Sequence, residues 1–557
     1  MRNARKVLSL FLVLSLLLGV FAAGGTSFAA GPDVRNVIVL VADGCGSTHT
    51  TLARWYQGQP LTLDGMVTGG VITHSADSMI TDSAPAATAF ATGYKSDTKF
   101  ISVLPAVIDV PHVQSVSDND KYRPVASVLE AAKLAGKSTG LVATSNIQHA
   151  TPACYSAHWP NRNDYNEIAE QQVYEDIDVV FGGGRQYLLP VHKGGKRTDG
   201  ADLINELKYR GYKIVDNTAD IKKFDGTKVW GLFADDALAY DMDRDPAKEP
   251  SLAEMTQKAI EILSKNKKGF FLFIEGSKVD WASHANDPIG VISDVLAFDR
   301  AVKTAVDFAK KDGHTLVIAF SDHGNGGMSI GSMESNKNYD TLKPSQVVDP
   351  LKKAKLTGEG LEAKLNADRS NIAEVMAAYY GITDLTEQEI QAIKEAKPGS
   401  LNYAVGPMIS KRSMIGWTTN GHCGEDLFLY AYGPQKPAGL LDNTQIAKHI
   451  AAAMGLDLAK TSKTLFTPAE AFKTLSAEVT VDKSDPENPV IKVQKGHTTM
   501  TLKTSTDIAV FNGKTYILNG PSLLITVKNK AGEITHERAY VPQQAVDLFA
   551  GQVKKAA

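Results

Sequence analysis

Three apolar runs of this 557-residue chain end in side chains that bind cations or carry protons. Asn36 to Ala42 runs into Asp43, Phe270 to Ile274 into Glu275, and Thr315 to Phe320 into Ser321, Asp322 and His323. Short continuous apolar runs read as parallel strands buried on both faces, and in open α/β sheets ligands sit beyond the carboxyl ends of the strands. Carboxylates and an imidazole delivered there from three distant segments predict a metal site along one edge of one sheet. Asp280 and His284 lie four residues apart, a spacing that places both on one face of a helix and suits a zinc ion held by carboxylate and imidazole. Asp43 can bridge two cations with its two oxygens. Gly324, Gly326 and Gly327 let the backbone turn sharply enough after Asp322 and His323 for both to serve one ion. Taken singly, each of these has a plain structural reading: a turn-forming Asp-Gly, a surface pair, a helix-capping aspartate.

A nucleophile is available as well. Thr81-Asp82-Ser83-Ala84-Pro85 has the composition of a helix start, with Ser83 near the cap and Pro85 in the first turn, where proline is tolerated. A phosphate at that terminus would meet free backbone N–H groups and the positive end of the helix dipole. Ser83 would then serve as both cap and nucleophile; a purely structural cap is the plain alternative.

These residues need a sheet to carry them. Between Val34 and about Leu465 strand-like runs alternate with amphipathic stretches: a helix over 125–135 closed by Gly136, a strand over 138–143, and helices over 251–264 and 292–311. That rhythm predicts an α/β fold, a doubly wound and mostly parallel central sheet flanked by helices. Residues 331–414 break it, being polar and Lys-rich with helical patterns near 371–380 and 386–396, and are expected to form an inserted cap within a catalytic domain over 31–470. From 471 to 557 the texture becomes β-rich, with Asn512-Gly513 marking a hairpin tip. This small C-terminal domain shows no motif with a nameable chemistry, and a stabilising or surface-attachment module is the default expectation.

Residues 1–30 read as a secretory signal peptide: Arg2, Arg5 and Lys6 precede the apolar stretch from Val7 to Val20, and Ser27-Phe28-Ala29 offers a small-x-small cleavage site. The apolar stretch is shorter than the ~20 residues of a spanning helix, and no later segment is long and apolar enough to span. The expected location is therefore secreted, extracellular or associated with the cell envelope. With three cysteines, Cys45, Cys154 and Cys423, there is no disulfide framework and no cysteine metal site. The formal charge of −3 becomes about −6 without the three basic leader residues, which argues against a dedicated nucleic-acid surface.

Six motifs stand in one order along the chain: Asp43-Gly44-x-Gly46, Asp82-Ser83-Ala84, His149-Ala150-Thr151-Pro152-Ala153 with Arg162, Glu275-Gly276-x-x-x-Asp280-x-x-x-His284, Asp322-His323 and Gly421-His422. In that order and spacing the chain resembles the alkaline phosphatases over most of residues 34–435. The resemblance implies a secreted phosphomonoesterase in which Ser83 becomes a phosphoserine and Arg162 clamps two phosphate oxygens as a planar bidentate donor. It implies two zinc ions, one on Asp280, His284 and His422 and one on Asp43, Asp322 and His323, and a magnesium ion on Asp43, Thr151 and Glu275. His149 stands where some members have aspartate, and Trp281 where others have lysine, aspartate or histidine. A nitrogen at His149 makes it an added candidate ligand and opens the third position to zinc or cobalt. Small phosphate monoesters are the implied substrates and a homodimer the implied assembly, with cell-surface association through the C-terminal extension a further partner reading. A phosphodiesterase or another hydrolase of the same superfamily is the alternative activity. A sulfatase would want a modifiable cysteine or serine in a Cys/Ser-x-Pro-x-Arg context, which Ser83 lacks.

Overall fold

A computed structural model describes residues 34–551; the signal peptide expected over residues 1–30 lies outside them. The central sheet has ten strands: β1 (Asn36–Ala42), β2 (Val67–Ile72), β3 (Ser138–Asn146), β4 (Val179–Gly183), β5 (Lys213–Val215), β6 (Val229–Leu232), β7 (Phe270–Gly276), β8 (Thr315–Phe320), β9 (Leu427–Tyr432) and β10 (Gly439–Asp442). Their order is β10-β2-β9-β8-β1-β7-β3-β4-β6-β5. Only β9 runs antiparallel to its neighbours, β2 and β8, so the sheet is mostly parallel.

Burial on both faces follows from the apolar runs. Ile38, Leu40 and Ala42 of β1 enter one hydrophobic cluster, while Val37, Val39 and Val41 enter the cluster on the other face. Strand β7 divides in the same way, Phe270, Leu272 and Ile274 against Phe271 and Phe273. This is the period-two geometry of a strand with helices above and below. Helix 288–312 covers one face and helix 83–92 the other, with Val295, Phe298 and Val302 in the first cluster and Ala86, Ala87 and Phe90 in the second.

Two helix starts differ from the sequence expectation by three or four residues. The helix expected from residue 125 begins at Val128, because Ser127 caps it in a box with Glu130 while Val125 is still pairing with Ser102. The helix expected from 292 begins at Pro288, where Asp287 caps a first-turn proline, a start signal stronger than the periodicity that follows it.

Residues 331–414 add no strand to the central sheet. A short ladder between Ser329–Ile330 and Ile415–Gly416 closes their base, and they fold as short helices, including 344–351, 372–380, 387–395 and 402–412. At the C-terminus a second sheet holds β11 (Thr467–Pro468), β12 (Glu478–Asp482), β13 (Val490–Lys495), β14 (Thr498–Lys503), β15 (Thr506–Phe511), β16 (Lys514–Lys528) and β17 (Ile534–Val541). It is antiparallel throughout, in the order β11-β17-β16-β15-β14-β13-β12. Asn512 and Gly513 form the β15–β16 turn with φ of 47° and 80°, the paired positive values of a type I′ hairpin turn.

Candidate active site

The registers of β1, β7 and β8 bring the strand-ending residues together. Val41 lies opposite Glu275 on one side and Phe320 on the other, so Asp43, Glu275 and Asp322 emerge at one edge. Gly44 makes the approach close. Its φ is +67°, and a Cβ there would fall 2.8 Å from the Asp280 backbone. Gly44→Ala should therefore cost about 2 kcal/mol or more, read as a fall in thermal midpoint together with a loss of bound metal.

Three groups of acids and imidazoles have ligand atoms within 4.8 Å of one another: Asp280, His284 and His422; Asp43, Asp280 and His323; and Asp43, His149 and Glu275. Asp322 completes the second, its Oδ2 lying 3.3 Å from His323 Nε2. Asp322 Oδ1 is already satisfied by the backbone N–H groups of Gly44 (3.1 Å) and His323 (3.0 Å). Asp280 belongs to the first two groups; within the first it lies 3.4 Å from His284 Nε2 and 3.7 Å from His422 Nε2.

Three of the four imidazoles are oriented alike. Nδ1 of His284 donates to the Asn420 carbonyl (2.6 Å), that of His422 to Thr81 (2.9 Å) and that of His323 to Gly324 (3.3 Å). A carbonyl only accepts, so in the neutral rings the proton sits on Nδ1 and the Nε2 lone pair faces the cluster, as in metal-binding histidines. The rings of His323 and His422 stack at 3.6 Å.

The oxygens tell the same story by what they lack. Both carboxylate oxygens of Asp43, Asp322 Oδ2, Glu275 Oε1 and the Thr151 hydroxyl are buried without a hydrogen-bond partner. Buried polar atoms left bare cost free energy unless something else meets them, and a nitrogen–oxygen donor set of this kind fits divalent cations. Electrostatics agrees. Burial, with the neighbouring carboxylates, holds Asp43 well above the usual carboxylate range; burial pushes Glu275 up to about 7, and burial with Asp280 takes Asp322 to about 6. Burial also opposes ionisation of Asp280, but the adjoining imidazoles outweigh it and hold Asp280 low, while Asp280 lifts His284 to about 9 against its own burial.

Ser83 is the first residue of helix 83–92, and Asp82, not Ser83, occupies the N-cap. The shift of one position matters, because it turns the hydroxyl inward: Ser83 Oγ lies 3.1 Å from His323 Nε2. Arg162 reaches the same place from a loop, pairing through Nη1 with Asp82 and donating from Nη2 to His149 Nε2 at 3.0 Å. Burial works against the Asp82 charge, yet Arg162, the His323 and His422 imidazoles and the Ser83 backbone N–H together outweigh it and keep the carboxyl below its ordinary value. His149 is neutral, driven down to about 3 by burial and by Arg162; its Nδ1 is buried without a partner, and its ring meets Trp281 edge-on at 6.1 Å.

All the residues singled out from sequence thus gather at one edge of the sheet. Sequence reading assigned no role to several of their supports. Asp82 orients Arg162, and Asn325 donates to Asp280 Oδ1 at 2.6 Å. Ser277 donates to Glu275 Oε2 at 2.8 Å. Only Asp82 carried a signal, as an acid beside the candidate serine.

The family profile described as alkaline phosphatase matches residues 34–456. The chain belongs to the alkaline phosphatase family. It is 38% identical over 482 residues to alkaline phosphatase 3 of Bacillus subtilis (strain 168), which spans 81% of this chain and 97% of that protein. The Thermus thermophilus alkaline phosphatase superposes with a TM-score of 0.67 at 28% identity, covering 78% of this chain and 95% of that one. A histidine-to-aspartate mutant of the TAB5 alkaline phosphatase, with Mg bound in its M3 site, superposes at 0.55 with 28% identity over 76% of this chain and 99% of that one. Family and fold make this alkaline phosphatase a phosphomonoesterase with a metal-binding site. Among the described residues no helix is long and apolar enough to cross a membrane.

Proposed function

We propose that this alkaline phosphatase is exported and hydrolyses phosphate monoesters at alkaline pH through a covalent phosphoserine on Ser83. The observation carrying the reading is convergence: the Ser83 hydroxyl, the Arg162 guanidinium and three acid–imidazole groups share one buried edge. Asp280, His284 and His422 would hold one zinc ion and Asp43, Asp322 and His323 a second. Asp43, Thr151 and Glu275 would hold a third ion, magnesium, or zinc or cobalt if His149 contributes. When bound, such ions lower the pKa of a coordinated hydroxyl and neutralise charge on the attacking and leaving oxygens.

The chain's own groups do the rest. Arg162 offers two parallel N–H donors to the phosphoryl oxygens, and its pairing with Asp82 fixes the plane of the guanidinium. The N–H groups opening helix 83–92 favour the anion at the point where Ser83 attacks. Ser83 Oγ gives its proton to solvent and bonds to phosphorus as the ester P–O bond breaks, and the departing alkoxide takes a proton back from solvent. Water then attacks the phosphoserine; one of its protons passes through solvent to the leaving Oγ, the other stays on the phosphate, and inorganic phosphate is released. Purified protein should cleave p-nitrophenyl phosphate at pH 9 in preference to bis(p-nitrophenyl) phosphate. A stronger rate on the diester would move the assignment to a phosphodiesterase of the same fold. Export rests on the leader over residues 1–30 and is checked by the N-terminal sequence of the protein recovered from culture medium.

A further inference from the structure

The C-terminal sheet lies beyond the residues matched by the family profile, yet it is not a detached module. Leu523, Ile525 and Tyr540 of β16 and β17 are buried in one cluster with Val103, Ala126 and Phe466, and Phe100, Tyr122 and Trp159 pack against it. Trp159 is the inner end of that contact and the outer end of another. Its backbone pairs both ways with Ile101, at 2.8 and 2.9 Å. Its indole N–H donates to Asp164 Oδ2 at 2.7 Å, and Asn161 donates to the other oxygen of the same carboxylate at 2.7 Å. Arg162 sits inside this staple, and its own backbone N–H donates to the Lys99 carbonyl at 2.8 Å.

We propose that the C-terminal sheet is a positioning element of the phosphate site, holding the Trp159–Asp164 turn so that Arg162 meets the phosphate in register. The proposal rests on the assignment of Arg162 as the phosphate clamp. The turn belongs to no strand of the central sheet, and connecting segments are mobile unless something ties them down. On its outer side that tie is the cluster that Leu523, Ile525 and Tyr540 of β16 and β17 complete with Val103, Ala126 and Phe466, against which Trp159 packs. An arginine is long and rotamer-rich, so its pairing with Asp82 and His149 fixes only the tip; the backbone end is fixed by the turn. Small misplacements of a clamping group weaken the contact it makes to the ligand. Ile525 and Leu523 therefore act on phosphate through Trp159 and Asp164, without touching it.

The test uses the full-length, metal-loaded enzyme and inorganic phosphate as the probe. Ile525→Ala should raise both KM for p-nitrophenyl phosphate and Ki for phosphate about fivefold, with metal content unchanged and kcat altered less than KM. Asp507→Asn cuts the sheet's separate anchor, the Arg210–Asp507 ion pair at 2.6 Å, and should leave KM and Ki where they were. In an Arg162→Ala background Ile525→Ala should add no further change. Equal shifts in Ile525→Ala and Asp507→Asn, an unchanged Ki in Ile525→Ala, or a fully additive effect on Arg162→Ala would each overturn the proposal. If Arg162→Ala alone leaves Ki unchanged, the clamp assignment falls and the proposal with it. Should Ile525→Ala fold poorly, Ile525→Val, one methylene smaller, must show the same ordering at reduced size.

Discussion

Ser83→Ala is expected to lower kcat on p-nitrophenyl phosphate by roughly three to six orders of magnitude, the range seen when an enzyme loses its nucleophile. Metal content should not follow. The acid–imidazole groups that would hold the ions do not include Ser83, and among the described residues its Oγ meets His323 Nε2 at 3.1 Å. The hydroxyl is small and sits at the first position of its helix, with Asp82 already at the cap, so the fold loses little. Alanine at that position is also a good helix former. Activity, metal content by elemental analysis and thermal midpoint together separate a missing nucleophile from a damaged site. A variant that keeps most of its rate would refute the phosphoserine pathway.

Chelation should be the second large effect, and its pH dependence has a definite sign. Removing divalent cations with EDTA should abolish turnover, and zinc with magnesium should restore it. Stripped of cations, the protein keeps Asp43, Glu275 and Asp322 crowded and buried. Glu275 at about 7 and His284 at about 9 both lie above their ordinary values. A group with a raised folded-state pKa contributes stability that is complete below its unfolded pKa and is lost as pH rises through the folded one. His149, His323 and His422 are shifted down and work the other way, but only as pH falls below about 6.5. Above that value the raised groups dominate. The thermal midpoint of the metal-free protein should therefore fall by several degrees between pH 6.5 and 9, while the loaded protein, whose ligands gain by ionising, should fall less. Scanning calorimetry with and without EDTA at both pH values checks this; parallel curves would refute it.

How much of this could be read from the sequence varies with the kind of residue. Strands β1, β7 and β8 were legible because burial on both faces leaves an unbroken apolar run, and a run that must stop at the sheet edge exposes whatever residue comes next. Asp280 and His284 were legible because a helix brings residues four apart together. Helix starts were less so: one-residue shifts of the cap, as at Asp82 and Ser83, depend on which backbone N–H groups find partners. The support residues were hidden for a different reason. Asn325 and Ser277 are common residue types whose meaning comes from the carboxylates they meet, Asp280 and Glu275, and nothing in their own local pattern marks that pairing.

The C-terminal sheet shows the limit most plainly. Its hairpin tip at Asn512-Gly513 and its alternating strands were readable locally. Its seat against Phe100 and Trp159 was not, since no local pattern says which surface an apolar face will cover. By sequence alone, strand ends and helix spacing placed Asp43, Glu275, Asp280, His284, Asp322 and His323 as candidate ligands, while the roles of Ser83, Arg162, Thr151 and His422 followed from the resemblance in motif order. Only the tertiary structure decided how they are held: which imidazole nitrogen faces the site, which carboxylate oxygens remain bare, and how the last sheet braces the turn that bears Arg162. Those depend on contacts between segments hundreds of residues apart, and such contacts leave no local trace.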